Sequence, residues 1–91
     1  MNKNELIDRV TERTGLRKKD VSLVTAAVFG CIADALAQEE KVTIAGFGVM
    51  ELRHRAARQG HLPIDQREVD IPAAKIPVFR PSKQLKEKVN A

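Results

Sequence analysis

Beyond Gly48 the chain takes up a period of two and holds it for longer than a domain of 91 residues can use. Met50, Leu52, His54 and Ala56 alternate with Glu51, Arg53 and Arg55, so the two sets face opposite sides of one strand. At about 3.3 Å per residue, the run from Glu51 to Gly60 reaches about 33 Å, more than a body this small spans. A second stretch, from about Glu68 to Phe79, returns antiparallel. Its Pro72 and Pro77 cannot donate to a ladder, which implies edge positions or bulges. Much of this hairpin, residues 53–75, is therefore expected to project as an arm. Ala56, Ala57 and Gly60 stand there in place of bulky residues, so the arm has little to pack with and should be mobile without a ligand.

The residues before the ribbon read as helical. Asn2 followed by Glu5 has the form of a capping box, Leu6, Ile7 and Val10 recur at helical spacing, and Gly15 ends the segment. Val21, Val24, Val28, Ile32, Ala35 and Leu36 then keep the helical period from about Lys18 to Gln38, with Ala27 and Cys31 widening the stripe. Arg17 stands where Ser or Asp would cap this second helix, so its start should fray. After Glu39-Glu40, Val42 and Ile44 begin a short strand that turns at Gly46-Phe47-Gly48 into the long one. Pro81-Ser82-Lys83 opens a terminal helix carrying Leu85 and Val89, with Ser82 as its cap.

This apolar face is too large for one short helix to cover, and a domain of this size has a thin core. With only three aromatic residues and no Trp or Tyr, a second subunit is expected to complete it, using Val28, Phe29, Ile32, Leu36, Ile44, Phe47 and Phe79. The lone Cys31 cannot form an intrachain disulfide and suits a small buried hydrophobe. No apolar run approaches transmembrane length, and Met-Asn-Lys-Asn-Glu-Leu is too polar for a secretory signal. A cytoplasmic location is expected.

Charge is placed unevenly. The first fifty residues balance seven bases against seven acids, so the whole excess of +4 lies after Met50. A basic half joined to a neutral half suits a polyanion-binding surface, although a solvated positive face without a partner has the same composition. Arg53, Arg55 and Arg58 lie on one strand of the arm, with at least the first two on one face. Guanidinium groups fork onto phosphate oxygens and favour the negative potential of a narrow minor groove. Arginines on an edge strand also prevent edge-to-edge aggregation. At the tip, Leu62, Pro63 and Ile64 have no core to enter, whereas apolar wedges of this kind slip between base steps and kink DNA; an ordinary Pro-containing loop is the alternative. Lys3, Lys18, Lys83 and Lys86 stand near helix starts or on the terminal helix. Each alone reads as a solvated lysine, and together they could hold phosphates flanking a bend.

These residues resemble the HU/IHF family of bacterial histone-like DNA-binding proteins over essentially the whole chain. The resemblance is carried by Met-Asn-Lys at the start, Gly15-Leu with Lys18-Lys19-Asp20, Gly46-Phe47-Gly48, Glu51, and Arg53-His-Arg55-Ala-Ala-Arg58-Gln-Gly60. Pro63, Ile71-Pro72-Ala73-Ala74-Lys75 and Phe79-Arg80-Pro81-Ser82-Lys83 complete it. It implies an intertwined homodimer with the Phe residues in a shared core, and leaves open a heterodimer with a paralogue. It further implies arm arginines in the minor groove of double-stranded DNA, Pro63 as the intercalating wedge, and Lys3, Lys18 and Lys83 on flanking phosphates. Lys75, Arg80 and Lys86 join the expected DNA-binding set. The tip departs from the family: Leu62 precedes Pro63 where Asn or Lys is usual, and Ile64-Asp65-Gln66 follows it where Thr-Gly is usual. Leu62 and Ile64 should enlarge the wedge. His61, where a base is common, should strengthen binding as pH falls through about 6.5.

The expected fold class is therefore α+β: two helices, a three-stranded antiparallel sheet with a long arm, and a short C-terminal helix, forming one domain over residues 1–91. Residues 1–45 hold the helical dimerisation part and first strand, 46–81 the sheet with the arm, and 82–91 the last helix. The expected role is bending and compacting DNA on the nucleoid with largely sequence-independent contacts. A site-specific DNA-bending relative and a dimeric interaction module without nucleic acid are the competing readings. An RNA role lacks the aromatic platform on which single-stranded bases stack. No cofactor, metal, membrane or small-molecule substrate is called for. His54 and His61 have no partners at metal-ligand spacing, and no nucleophile is paired with an evident base, which argues against an enzyme.

Overall fold

The structure, a computed structural model, describes residues 1–61 and 68–91. Met1–Ala35 and Leu36–Ala91 form two compact units. In the first, α1 spans Lys3–Thr14, and α2, Lys18–Ala37, begins there and ends in the second unit. The Asn2 side chain accepts the Glu5 N–H at 2.9 Å, satisfying one of the free donors of the first turn. Gly15 closes α1 in the left-handed conformation at φ 72°, its N–H donating to the Thr11 carbonyl. The weak cap at the start of α2 is offset in two ways. The Arg17 carbonyl accepts the Asp20 and Val21 N–H groups at 3.0 Å, and Lys18 pairs with Asp8 of α1 at 2.8 Å. Ile7 and Val21, at 4% and 3% exposure, are the buried hydrophobic side chains among the described residues.

The second unit is built on a three-stranded antiparallel sheet in the order β1-β2-β5, from Val42–Ile44, Gly48–Arg55 and Ala74–Pro81. Gly46, at φ 76°, makes the turn between β1 and β2. Beyond the sheet, β3 (Arg58–His61) pairs with β4 (Glu68–Ile71) as a separate two-stranded ladder. Arg55 lies opposite Ala74, and Arg58 opposite Ile71, so the outer ladder keeps the register of the inner one. Pairing is interrupted at Ala56-Ala57 and Pro72-Ala73 without a bulge: two residues are skipped on each strand. Pro72 has no N–H to offer, which accounts for the interruption at that point. Pro77 sits within β5, a sheet edge, as its missing donor requires. The Ser82 hydroxyl accepts the Leu85 N–H at 3.1 Å and starts α3, Lys83–Val89.

Three expectations need correction. First, α2 is long and apolar enough, by length and composition, to cross a membrane. The stripe leaves out the small residues Ala26, Gly30 and Ala33, which make the helix apolar on nearly every side. Second, Cys31 is exposed, because the face of α2 that carries it has no cover within the chain. Third, the arm is not without packing of its own. A Cβ placed on Gly60 would meet Ile71 Cδ1 at 2.8 Å, so Ile71 closes over the glycine from the facing strand.

Another close approach fixes the body. A Cβ on Gly48 would come within 2.6 Å of both the Arg80 carbonyl oxygen and the Phe79 ring, and Phe79 in turn lies 5.4 Å from Phe47, ring centre to ring centre. Because the neighbour is backbone, relief requires moving a strand. Gly48→Ala is expected to cost about 1–3 kcal/mol of stability, read as a lower urea midpoint at unchanged slope. An unchanged midpoint would show that β2 and β5 are not held this closely.

Candidate nucleic-acid interface

The solvent-facing end of the sheet carries the cations. Along β2 burial falls away after Leu52, and Arg53, His54 and Arg55 are all exposed, as is Arg58 at the start of β3. The three arginines do not share one continuous strand as expected, since the interruption at Ala56-Ala57 separates Arg58 from the other two. Arg55 reaches across it: its Nη2 donates to the Pro72 carbonyl at 3.2 Å. Beside the interruption an open cavity of about 490 Å³ is lined by Ala57, Arg58, Gln59, Asp70, Ile71 and Pro72. His61 ends β3 opposite Glu68. Leu62, Pro63 and Ile64, the expected wedge, lie outside the described residues.

Lys3, Lys18 and Lys83 are each the first residue of a helix. A lysine beside the free N–H groups of a helix start is a site suited to phosphate oxygens. Lys86 lies in the last turn of α3. Several candidate cations already have carboxylate partners, which sequence reasoning missed. Lys18 meets Asp8, Arg80 Nε meets Glu51 at 2.8 Å, and Lys83 approaches Glu87 at 3.9 Å. Glu39 Oε1 lies 3.5 Å from Lys75 Nζ and 2.7 Å from His54 Nε2. A carboxylate oxygen only accepts, so the shared proton is carried by the imidazole nitrogen. These groups are largely exposed, which limits each pair to a fraction of a kcal/mol up to about 1.

Glu39 is also the one non-glycine residue with positive φ among the described residues, at 60°. That conformation costs an L-residue about 1–2 kcal/mol. The acidic pair Glu39-Glu40, standing where Gly or Asn would end a helix cheaply, was the available sequence signal.

The residues expected at a subunit interface leave much apolar surface uncovered. Val28, Phe29, Ile44, Phe47 and Phe79 are between 42% and 52% exposed, and Ile32 and Leu36 are half-buried. Exposure on this scale, found in each of the two units, marks apolar surface made to be covered. No group of three or more His, Cys, Asp or Glu that could hold a metal stands together among the described residues.

Known proteins resemble this chain over its whole length. DNA-binding protein HU of Geobacillus stearothermophilus is 49% identical over 89 residues, covering 98% of this chain and 99% of that protein. The SPbeta prophage-derived DNA-binding protein HU 2 of Bacillus subtilis is 50% identical over 91 residues, covering 100% and 99%. Among solved structures, the chain of an Anabaena HU–DNA cocrystal matches with a TM-score of 0.89 at 40% identity, covering 98% of this chain and 97% of that one. HU from Thermotoga maritima matches with a TM-score of 0.70, also at 40% identity, with 98% of each chain covered. The model of the family described as bacterial DNA-binding protein matches residues 1–90, and the chain belongs to that family, the histone-like HU/IHF proteins.

Proposed function

We infer that this protein is an architectural partner of double-stranded DNA, acting as a homodimer whose two arms enter the minor groove and bend the duplex. The observation that carries the reading is the exposed cationic ribbon, Arg53, Arg55 and Arg58, running out along a ladder that leaves the body after Leu52. A fold does not need exposed arginines on so long a hairpin, whereas a groove lined by phosphates supplies their counter-charge. The second copy covers the apolar face of α2 together with Phe47 and Phe79, which explains why a helix fit for a membrane occurs here. Lys3, Lys18, Lys75, Arg80, Lys83 and Lys86 neutralise phosphates on either side of the bend, and such contacts carry no base sequence. The role is structural and not enzymatic, on the bacterial chromosome in the cytoplasm.

Leu62, Pro63 and Ile64 support the wedge by composition and by their position in the sequence, between the residues of β3 and those of β4. An apolar side chain inserted at a base step unstacks it and kinks the duplex. Energy transfer between dyes on the ends of a short duplex separates bending from binding. Pro63→Ala should bind while bending the duplex less, and Arg53→Ala with Arg58→Ala should bind more weakly. A duplex that stays straight with saturating wild-type protein would overturn the bending role, and equal bending by Pro63→Ala would overturn the wedge.

A further inference from the structure

We propose that Glu39 is a positioning residue for the arm: by holding His54 and Lys75 together it fixes where the ribbon begins to pivot. The inference rests on the DNA-bending reading for its functional meaning, though not for its geometry. His54 and Lys75 lie directly opposite each other in the register of β2 and β5. One rung further out, Arg55 faces Ala74, and there the inner ladder ends. Arg53, His54 and Arg55 are exposed, so burial does little to hold these last rungs. Two nitrogen donors face to face across the strands leave the root of the arm open to fraying. The Glu39 carboxylate, 2.7 Å from the first and 3.5 Å from the second, draws both strands to one point on the turn after α2. That turn belongs to the same compact unit as the sheet, so the tether ties the root of the arm to the body.

The backbone at Glu39 argues that the side chain is the reason for its presence. Its N–H donates to the Leu36 carbonyl at 2.9 Å, a bond that a glycine would make equally well, and at φ 60° glycine would be free of strain. Glutamate therefore stands where the conformation favours another residue. Strain kept at one position, with its side chain directed at a functional element, is the pattern of a positioning group. With the tether in place the pivot lies at the interruption, Ala56-Ala57 against Pro72-Ala73. Without it the pivot moves back into the sheet, and the arms sample a wider range of directions.

The test compares Glu39→Gly, Glu39→Gln and the parent as full-length dimers. In the free protein, amide hydrogen exchange at Arg53–Arg55 and Ala74–Ile76 should be about two- to fivefold faster in Glu39→Gly, the scale of one exposed ion pair. Its melting temperature should be no lower than the parent's, because the turn is relaxed. Glu39→Gln, which keeps an acceptor for His54 and loses the charge facing Lys75, should fall between. On dye-labelled duplex, Glu39→Gly should broaden the distribution of bend angles. Parental exchange rates at the arm root in Glu39→Gly would overturn the proposal. If Glu39→Gly does not fold, His54→Ala removes the other end of the tether, and parental exchange there overturns it equally. Failure of every variant and the parent to bind duplex at low salt refutes the DNA reading and leaves the exchange result standing.

Discussion

Raising monovalent salt from about 50 to about 200 mM should weaken duplex binding by about a thousandfold. Each phosphate neutralised releases condensed counterions and contributes about 0.9 to the slope of log K against log salt, so about six neutralised phosphates and a fourfold change in salt give about three decades. The candidate set, Lys3, Lys18, Lys75, Arg80, Lys83 and Lys86 on each of two copies with the arm arginines added, supplies at least that many. Four of these cations are already paired: Lys18 with Asp8, Lys75 with Glu39, Arg80 with Glu51 and Lys83 with Glu87. A phosphate that takes one of them displaces a carboxylate as well as solvent ions, so the slope should fall short of the full count of cations. Fluorescence anisotropy across a salt series measures it directly. A change of less than about tenfold over this range would mean that the positive half of the chain does not meet phosphates.

Phe79→Ala should remove about 3–5 kcal/mol per copy, the loss seen when a fully packed phenylalanine is truncated. The single chain by itself predicts much less, because Phe79 is 44% exposed and Phe47, its neighbour at 5.4 Å, is 49% exposed. The difference between the two magnitudes measures what the second copy covers. Against a total stability of about 5–15 kcal/mol, the larger figure leaves the variant marginal or unfolded at growth temperature. The melting temperature of the parent should also rise with protein concentration, since folding and association are linked. Thermal melts of both proteins over a hundredfold range of concentration test the two statements together. A loss below about 1 kcal/mol with a concentration-independent melting temperature would assign these rings to the surface of a monomer.

Features set by neighbours in the chain are legible in the amino-acid sequence alone. Asn2, Gly15, the Gly46-Phe47-Gly48 turn and Ser82 each act within about four residues, where capping and left-handed backbone have few alternatives. The alternation after Gly48 announces the ribbon, and the stripe along α2 announces the helix. What escapes depends on pairs distant in sequence. The Glu39 tether joins residues 15 positions apart from His54 and farther from Lys75, and no periodicity links them. Ile71 over Gly60 depends on the register of the outer ladder, which continues that of the inner one between strands that carry no local signal of their pairing. Cys31 is exposed against expectation because a helical stripe shows which side is apolar but not which chain covers it.

Strand partners on both sides of the interruption obey one numbering rule, Arg55 with Ala74 and Arg58 with Ile71. An insertion or deletion of one residue in a single strand would move that strand's outer residues to the opposite face while its partner's stayed in place, so the two sides of the ribbon would no longer match. Lengthening or shortening of this appendage over evolution is therefore restricted to compensated changes of two residues in each strand, or to the tip itself.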